Sequence, residues 1–311
     1  MQDIENAERQ LLQGAEPLPA SGPLPVACLL GEGATWSAAR GELLWTDIES
    51  RRLWSFNPAS SLYRDWPMPG RLGSFALTAD ASRLLAAFDH YLAWLDLGTG
   101  DVTPLVEFDH GLKTRANDGR CDRQGNFVFG TFDEVRQGAP AGSWYRYTAA
   151  GVLQPLALPP VFIPNGIAFS LDGQRLYFCD SMQGLLQRAR YNAATGEISD
   201  IQPFAQVTEG EPDGATVDAD DCYWSALWGA GAVQRYRPDG SEAERVALNA
   251  TQPSCLAFGG PALDTLYVTS ARVGLSAEAL AKEPEAGHVW HLPTALRGVP
   301  EALFGQRALI A

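Results

Sequence analysis

PNGIAFSLDGQRLYFCD, residues 164–180, is the stretch that decides the fold. Apolar residues alternate with small or polar ones on both sides of Asp172-Gly173, and a period of two is typical of half-buried β-strands. The Asp-Gly pair predicts a tight hairpin turn, because both of its residues tolerate a positive φ. The stretch therefore predicts a β-hairpin with a polar residue, Asn165, at the head of its first strand.

The same arrangement recurs along the chain with a period of roughly 40–48 residues, which is the spacing of propeller blades. Each of six units reads strand, turn, strand, loop, strand, and a turn such as Pro238-Asp239-Gly240 leaves room for a fourth strand. A β-sandwich or two unrelated β-domains would not explain one register repeated six times. We therefore predict an all-β fold, a six-bladed β-propeller with four antiparallel strands in each blade.

The propeller is predicted to occupy residues 26–311 as a single domain. Residues 1–25 are interpreted as an N-terminal tail, with a short helix over residues 4–12 and a Pro/Gly-rich segment after it. Residues 26–30 are predicted to form a short strand that completes the last blade. Strands from both chain ends would then close the ring without an exposed edge.

The composition limits the partners and the compartment. A formal net charge of −14 disfavours nucleic acid and an anionic membrane surface. The five cysteines are widely spaced and form no CxxC pair, so we interpret them as buried thiols in a reducing compartment. The sequence shows no secretory signal and no apolar run of membrane length. We expect a cytoplasmic protein that is a monomer or a weak homo-oligomer.

In a propeller, the residue just before each innermost strand can point toward the central axis. The positions in that phase of the repeat are Glu32, Ser74, Asn117, Asn165, Asp213 and Ser254. Each of the Asn-Gly and Asp-Gly pairs among them is also an ordinary turn signal, which is the alternative interpretation. Carboxylate and amide oxygens, however, are the ligands that hard divalent cations prefer.

Four motifs carry a resemblance to a known family. They are GEGATW at 31–36, RANDG at 115–119, NGIAFS at 165–170 and PDG at 212–214. In order and spacing they resemble the regucalcin/gluconolactonase family, which includes senescence marker protein and luciferin-regenerating enzyme. The resemblance covers essentially everything after the tail. It implies a six-bladed propeller that hydrolyses a sugar lactone with one divalent metal ion, such as Ca²⁺, Zn²⁺, Mn²⁺ or Fe²⁺.

The resemblance also implies roles for individual residues. Glu32, Asn165 and Asp213 match the metal ligands of the family, and Arg115 and Asn117 match residues that contact substrate hydroxyls. A surface salt bridge is the alternative for Arg115. Asp118 either enters the substrate pocket or braces Asn117 in its turn.

Two departures from the family pattern are visible. Ala34 stands where a proline is frequent, which affects only local rigidity. Some members have a pocket glutamate after the Gly-Thr of the third blade, and here Asp133 and Glu134 are both candidates for that position.

The proposed chemistry also follows from the reaction itself. Hydrolysis of a lactone needs a polarised carbonyl and an activated water, and a divalent cation serves both needs. A carboxylate beside the metal can accept the proton of that water, so Asp213 is the candidate general base as well as a ligand. Arg115 offers a rigid fork of donors for a polyol.

Two other functions are considered. A calcium-dependent phosphotriesterase or aryl esterase would need a more apolar pocket and a histidine partner, for which there is no clear candidate. A non-enzymatic calcium-binding or scaffold propeller would need structural roles for Arg115 and Asn117. The sequence contains no HExxH and no GxSxG motif, so a zinc protease and an ordinary serine hydrolase are disfavoured.

Overall fold

The structure, a computed structural model, describes residues 22–307, and its regular structure is nearly all β. Six four-stranded antiparallel sheets form the blades. Blade 1 contains β2 (Gly31–Ser37), β3 (Glu42–Asp47), β4 (Arg52–Asn57) and β5 (Leu62–Pro67), and blade 2 contains β6 (Leu72–Leu77), β7 (Arg83–Phe88), β8 (Tyr91–Asp96) and β9 (Val102–Glu107). Blade 3 contains β10 (Thr114–Cys121), β11 (Phe127–Asp133), β12 (Trp144–Tyr147) and β13 (Leu153–Pro155).

The second half of the chain repeats this order. Blade 4 contains β14 (Pro164–Phe169), β15 (Arg175–Asp180), β16 (Leu185–Asn192) and β17 (Glu197–Gln206), and blade 5 contains β18 (Glu211–Val217), β19 (Tyr223–Trp228), β20 (Ala232–Tyr236) and β21 (Glu242–Ala247). Blade 6 contains β22 (Pro253–Gly259), β23 (Thr265–Ser270), β24 (Val289–Pro293) and β1 (Gly22–Leu24). A 3₁₀ turn (Ser181–Gln183) and α1 (Ala277–Lys282) lie in loops. Within residues 22–307, neither is long and apolar enough to cross a membrane.

The innermost strands close into a ring. Each one contacts the innermost strand of the next blade, from β2 through β6, β10, β14, β18 and β22, and β22 contacts β2 again. Apolar clusters fill the spaces between neighbouring blades. Trp36 of blade 1, for example, stacks on Tyr267 of blade 6 with ring centroids 6.0 Å apart. The predicted six-bladed propeller is confirmed.

Closure of the ring uses an earlier segment than predicted. β1 pairs antiparallel with β24, and residues 26–30 form no strand beyond a single bridge from Leu30 to Ala271. The closing strand thus lies at Gly22–Leu24, inside the segment assigned to the tail. The sequence analysis missed this strand because Pro23 and Pro25 argue against a strand. β1 is the outermost strand of its blade, however, and the free edge of such a strand tolerates proline. The helix predicted over residues 4–12 lies outside the described residues.

Every innermost strand has an irregular register near its first residues. The shift lies between Glu32 and Thr35 in β2 and between Asn165 and Ala168 in β14. The other four innermost strands are also irregular near their first residues, although β6 skips only one residue, between Leu72 and Ser74. A bulge re-aims the side chains beside it. In blades 1, 3, 4 and 5 the polar residue at this irregularity lines one cavity.

The far end of the channel is covered by a segment that follows β24. Gly298 bridges to Asp218 and Phe304 to Thr78, which directly follow β18 and β6. Between these bridges, Glu301 forms an ion pair with Arg120 at 2.5 Å. Residues 298–304, the C-terminal strap, thus cross the channel where the innermost strands end. The polar residues at the beginnings of those strands lie at the opposite end.

The five cysteines are all buried and none forms a disulfide. Burial raises the pKa of Cys28 to about 12 and raises those of Cys121, Cys179 and Cys255 well above their ordinary value. The prediction of buried thiols is confirmed.

We expect Leu24→Ala to destabilise the protein by about 2–5 kcal/mol, the usual cost of truncating a buried leucine. Leu24 is fully buried in the cluster between blades 6 and 1. The free energy of unfolding in urea measures the effect. Leu105→Ala, at a side chain that is 37% exposed on β9, is the control. Equal stability of the two variants would show that β1 does not hold the ring closed.

Candidate active site

Four of the six residues predicted from the repeat converge on one cavity at the start of the innermost strands. Its volume is about 400 Å³. Five predicted site residues line it, namely Glu32, Arg115, Asn117, Asn165 and Asp213. A more open cleft of about 680 Å³ beside α1 contains none of them. The repeat therefore predicted four of these residues, and the family resemblance predicted Arg115.

The other two positions in that phase do not line the cavity. Ser254 Oγ donates to the carbonyl oxygen of Gly31 and contacts the Thr269 hydroxyl, so it joins blade 6 to blade 1. Ser74 Oγ is buried and has no hydrogen-bond partner among the described residues.

Glu32 and Asp213 place two carboxylates close together at the bottom of the cavity. Burial, with a contribution from the Asp118 charge, raises the pKa of Glu32 from 4.5 to about 8. Burial and the charge of Glu32 raise the pKa of Asp213 well above its ordinary value. Two buried carboxylates that repel each other favour the binding of a cation between them.

The donor set fits a divalent cation with oxygen ligands. Glu32 and Asp213 supply two carboxylates, and Asn165 supplies an amide oxygen, which together suit a hard cation. In residues 22–307 there is no group of three or more Asp, Glu, His or Cys side chains with the geometry of a metal site.

A chain of hydrogen bonds fixes the orientation of Asn165. Arg115 Nη1 donates to Asn117 Oδ1 at 2.7 Å, and Asn117 Nδ2 donates to Asn165 Oδ1 at 3.1 Å. Asn165 Nδ2 donates to Ser181 Oγ at 2.8 Å, and Ser181 Oγ donates to the Pro212 carbonyl at 2.7 Å. Because both Asn165 amide atoms have a partner, its Oδ1 points in one defined direction.

Arg115 is a buried cavity residue and forms no salt bridge with any residue from 22 to 307. Its side chain lies 4.5 Å over the ring of Phe132, and Arg136 lies 5.5 Å from the same ring. Burial, followed by the charge of Arg71, lowers the pKa of Arg115. Its two hydrogen bonds within the described part of the chain both use Nη1, so Nε and Nη2 are its remaining donors there.

Asp118 does not line the cavity. Its Oδ2 accepts a hydrogen bond from the Ile167 amide at 2.8 Å, across to blade 4. Burial raises its pKa to about 6. This geometry favours the bracing role for Asp118 over contact with a substrate.

Of the two acidic residues after Gly130-Thr131, Glu134 lines the cavity and Asp133 does not. Asp133 is buried and accepts three backbone hydrogen bonds from the loop that follows it. Glu134 forms an ion pair with Arg71 at 2.5 Å. The open choice between them is thus decided in favour of Glu134.

Several lining residues were missed by the sequence analysis: Leu30, Glu49, Arg71, Phe132, Arg136, Ile163, Ser181, Glu211, Trp228 and Val273. Three of them share one register. In blades 3, 4 and 5, the residue just before the inward-pointing one is paired with a residue of the second strand. These first-strand residues are Ala116, Pro164 and Pro212. The residue that follows each paired partner lines the cavity, and these are Phe132, Ser181 and Trp228. The sequence analysis could therefore have found these three lining residues by looking at the end of the second strand in each unit.

Comparison with known proteins gives concordant results. The sequence profile described as SMP-30/Gluconolactonase/LRE-like region matches residues 30–272. An L-arabinolactonase from Azospirillum brasilense is 47% identical over 278 residues, with 88% of this chain and 92% of that protein covered. A pentonolactonase from Haloferax volcanii is 33% identical over 291 residues, covering 88% of this chain and 94% of its own.

A solved structure agrees with the fold and with these relatives. The crystal structure of a calcium-binding protein, regucalcin, from Agrobacterium tumefaciens superposes with a TM-score of 0.87 at 34% identity. The match covers 93% of this chain and 98% of the other.

The carboxylate pair predicts how stability depends on pH in the absence of metal. Glu32 has a pKa of about 8 when folded and 4.5 as its ordinary value, so between these pH values the folded state binds more protons than the unfolded state. Stability is then lost as the pH rises from about 4.5 to about 8. Urea unfolding in a chelator at constant ionic strength measures this slope.

Glu32→Gln should flatten that slope, whereas Glu197→Gln, at an exposed residue of β17, should leave it unchanged. A wild type and a Glu32→Gln variant with the same slope would contradict the raised pKa.

Proposed function

Since the chain belongs to the SMP-30/gluconolactonase/LRE-like family, we propose that it hydrolyses a sugar lactone to the aldonic acid. The observation that carries the proposal is the meeting of Glu32, Asn165 and Asp213 at the bottom of a cavity with polar walls. Relatives that are named lactonases support it. A lactone is a cyclic carboxylic ester, so the reaction is that of a carboxylic ester hydrolase.

We propose an aldonolactone of a pentose or hexose as the substrate. A volume of about 400 Å³ lies at the lower end of the range for small-molecule sites. The relatives' names include an arabinolactonase, a pentonolactonase and a 6-deoxy-6-sulfogluconolactonase, so lactones of both sugar sizes are candidates. The polar side chains on the cavity wall suit a substrate with several hydroxyl groups.

Glu32, Asn165 and Asp213 are the proposed ligands of one divalent cation, with Ca²⁺, Zn²⁺, Mn²⁺ and Fe²⁺ as the candidates. When bound, such an ion supplies a Lewis acid for the lactone carbonyl and for water. The fixed orientation of Asn165 Oδ1 and the mutual repulsion of the carboxylates support this assignment.

Asp213 is the proposed general base. Its carboxylate lines the cavity, where burial and the charge of Glu32 raise its pKa well above the ordinary value and so increase its affinity for a proton. Proton transfer from the attacking water to Asp213 would generate the nucleophile at the lactone carbonyl. When the ring opens, the same carboxyl group can return the proton to the leaving alkoxide oxygen.

Arg115, Asn117 and Glu134 are the proposed residues that orient the substrate. Arg115 retains donors at Nε and Nη2, and its stacking on Phe132 holds the guanidinium plane in place. Glu134 supplies acceptors for hydroxyl groups. A fixed orientation lowers the entropic cost of reaching the reactive geometry.

The structure favours no second function. None of the four histidines, His90, His110, His288 and His291, lines the cavity. The phosphotriesterase or aryl esterase alternative required such a partner. Arg115 and Asn117 face the cavity, which is the opposite of what a scaffold role required.

The test is an assay of metal-free protein reconstituted with Ca²⁺, Mn²⁺, Zn²⁺ or Fe²⁺. Acid release is followed on a panel of aldonolactones and on an aryl phosphotriester. We expect hydrolysis of at least one lactone, dependent on the added ion. If no ion supports hydrolysis above the spontaneous rate of any lactone, the proposed function is wrong.

We expect Asp213→Asn to lower kcat by about 10²–10⁴-fold, the usual contribution of a general base, with the fold intact by circular dichroism. Glu209→Gln, two residues before β18 and exposed at the surface, is the control and should retain wild-type kcat. An Asp213→Asn variant with near-full turnover would refute the proposed base.

A further inference from the structure

The cavity has two unlike walls. Because the blades form a ring in chain order, blades 1–3 face blades 4–6 across the cavity. The side of blades 1–3 carries the charged residues Glu49, Arg71, Glu134 and Arg136. The opposite side carries Ile163, Trp228 and Val273, with Glu211 beside Trp228.

Charged contacts hold the polar wall rigid. Arg71 donates from Nη1 to Glu134 at 2.5 Å and from Nε to Asp89 at 2.6 Å. The Arg71 amide also donates to Asp89 at 2.8 Å. Arg71 thereby connects three loops, namely the loop before β6, the loop between β7 and β8 and the loop after β11. The Glu134 carboxylate is consequently presented at one place on the cavity wall.

Phe132 and Trp228 are the aromatic residues that line the cavity, and they differ in accessibility. Arg115 and Arg136 both pack on the Phe132 ring. Trp228 is half-buried, and within residues 22–307 its indole has no ring-stacking, cation–π or hydrogen-bond partner. Trp224, earlier on the same strand β19, is by contrast buried and packs on Phe258. The indole of Trp228 is therefore an unused apolar surface in the cavity.

The position of Trp228 brings this surface close to the carboxylates. Trp228 ends β19 and pairs in register with Glu211 of β18, two residues before Asp213. A ligand whose carbonyl carbon lies above Asp213 would thus have its ring beside the indole. Ring C–H groups and an aromatic face are both apolar, and the indole N–H adds a donor at the edge.

We propose that Trp228 is a substrate-binding residue on which one face of the lactone ring packs, with the hydroxylated edge turned to the Arg71–Glu134 wall. This inference rests on the proposed function. It assigns ring recognition to blade 5 and hydroxyl recognition to blades 2 and 3. A flat ring with polar groups on one edge is the ligand that matches both walls.

The test uses steady-state kinetics on two lactones of the same ring size, one polyhydroxylated and one unsubstituted. Trp228→Ala should raise KM for both by about tenfold, which corresponds to about 1.4 kcal/mol of binding free energy, with kcat within about twofold. A rise in KM at constant kcat reports lost binding that is equal in ground and transition states. Glu134→Gln should raise KM only for the hydroxylated lactone.

Two further substitutions separate stacking from folding. Trp228→Phe keeps an aromatic face and should retain a KM near that of the wild type, whereas Trp228→Leu keeps apolar volume and should behave like Trp228→Ala. Trp66→Ala is the matched control, because that partly buried indole donates to Leu97 outside the cavity. Thermal unfolding of each variant is measured alongside.

An active wild type with unchanged KM in Trp228→Ala and Trp228→Leu would overturn this inference and leave the proposed function standing. Equal KM values for Trp228→Phe and Trp228→Leu would overturn it as well, because stacking would then contribute nothing beyond apolar volume. A wild type inactive on every lactone with every ion would instead overturn the proposed function.

Discussion

The mutual repulsion of Glu32 and Asp213 is the constraint on which the site depends. Two carboxylates that are buried side by side lose hydration and repel each other, so the fold must hold them in place against that cost. The closed ring does so, because β2 and β18 are fixed through their neighbours on both sides. The hydrogen bonds from Arg115 through Asn117 to Asn165 hold the Asn165 amide oxygen in one orientation in the same cavity.

The fold and the bottom of the cavity were predictable because both depend on the repeat. A register that recurs six times fixes the strand order, and the bulge at the head of each innermost strand turns equivalent residues toward one axis. The positions of Asn165 and Asp213 within the repeat were enough to predict that both residues face the cavity. Ser254 shares that phase but joins blades 6 and 1, since its short side chain reaches the Gly31 carbonyl.

The cavity walls were not predictable in the same way. Arg71, Glu134 and Arg136 come from loops of different length, whose meeting depends on ring closure and on an ion pair between loops that are 63 residues apart in sequence. The closing strand was predicted too late in the sequence, because two prolines in β1 normally argue against a strand. Trp228 occupies a regular position at the end of β19, but the exposure of its ring in the cavity depends on neighbouring residues that the repeat does not specify.

The strap contacts three blades at the end of the channel opposite the cavity. Its two bridges reach Asp218 after β18 and Thr78 after β6, and its Glu301 forms the ion pair with Arg120 of β10. Blades 2, 3 and 5 are thus connected by one short segment as well as through the ring. Spreading of the blades at this end would break those contacts, so the strap resists it.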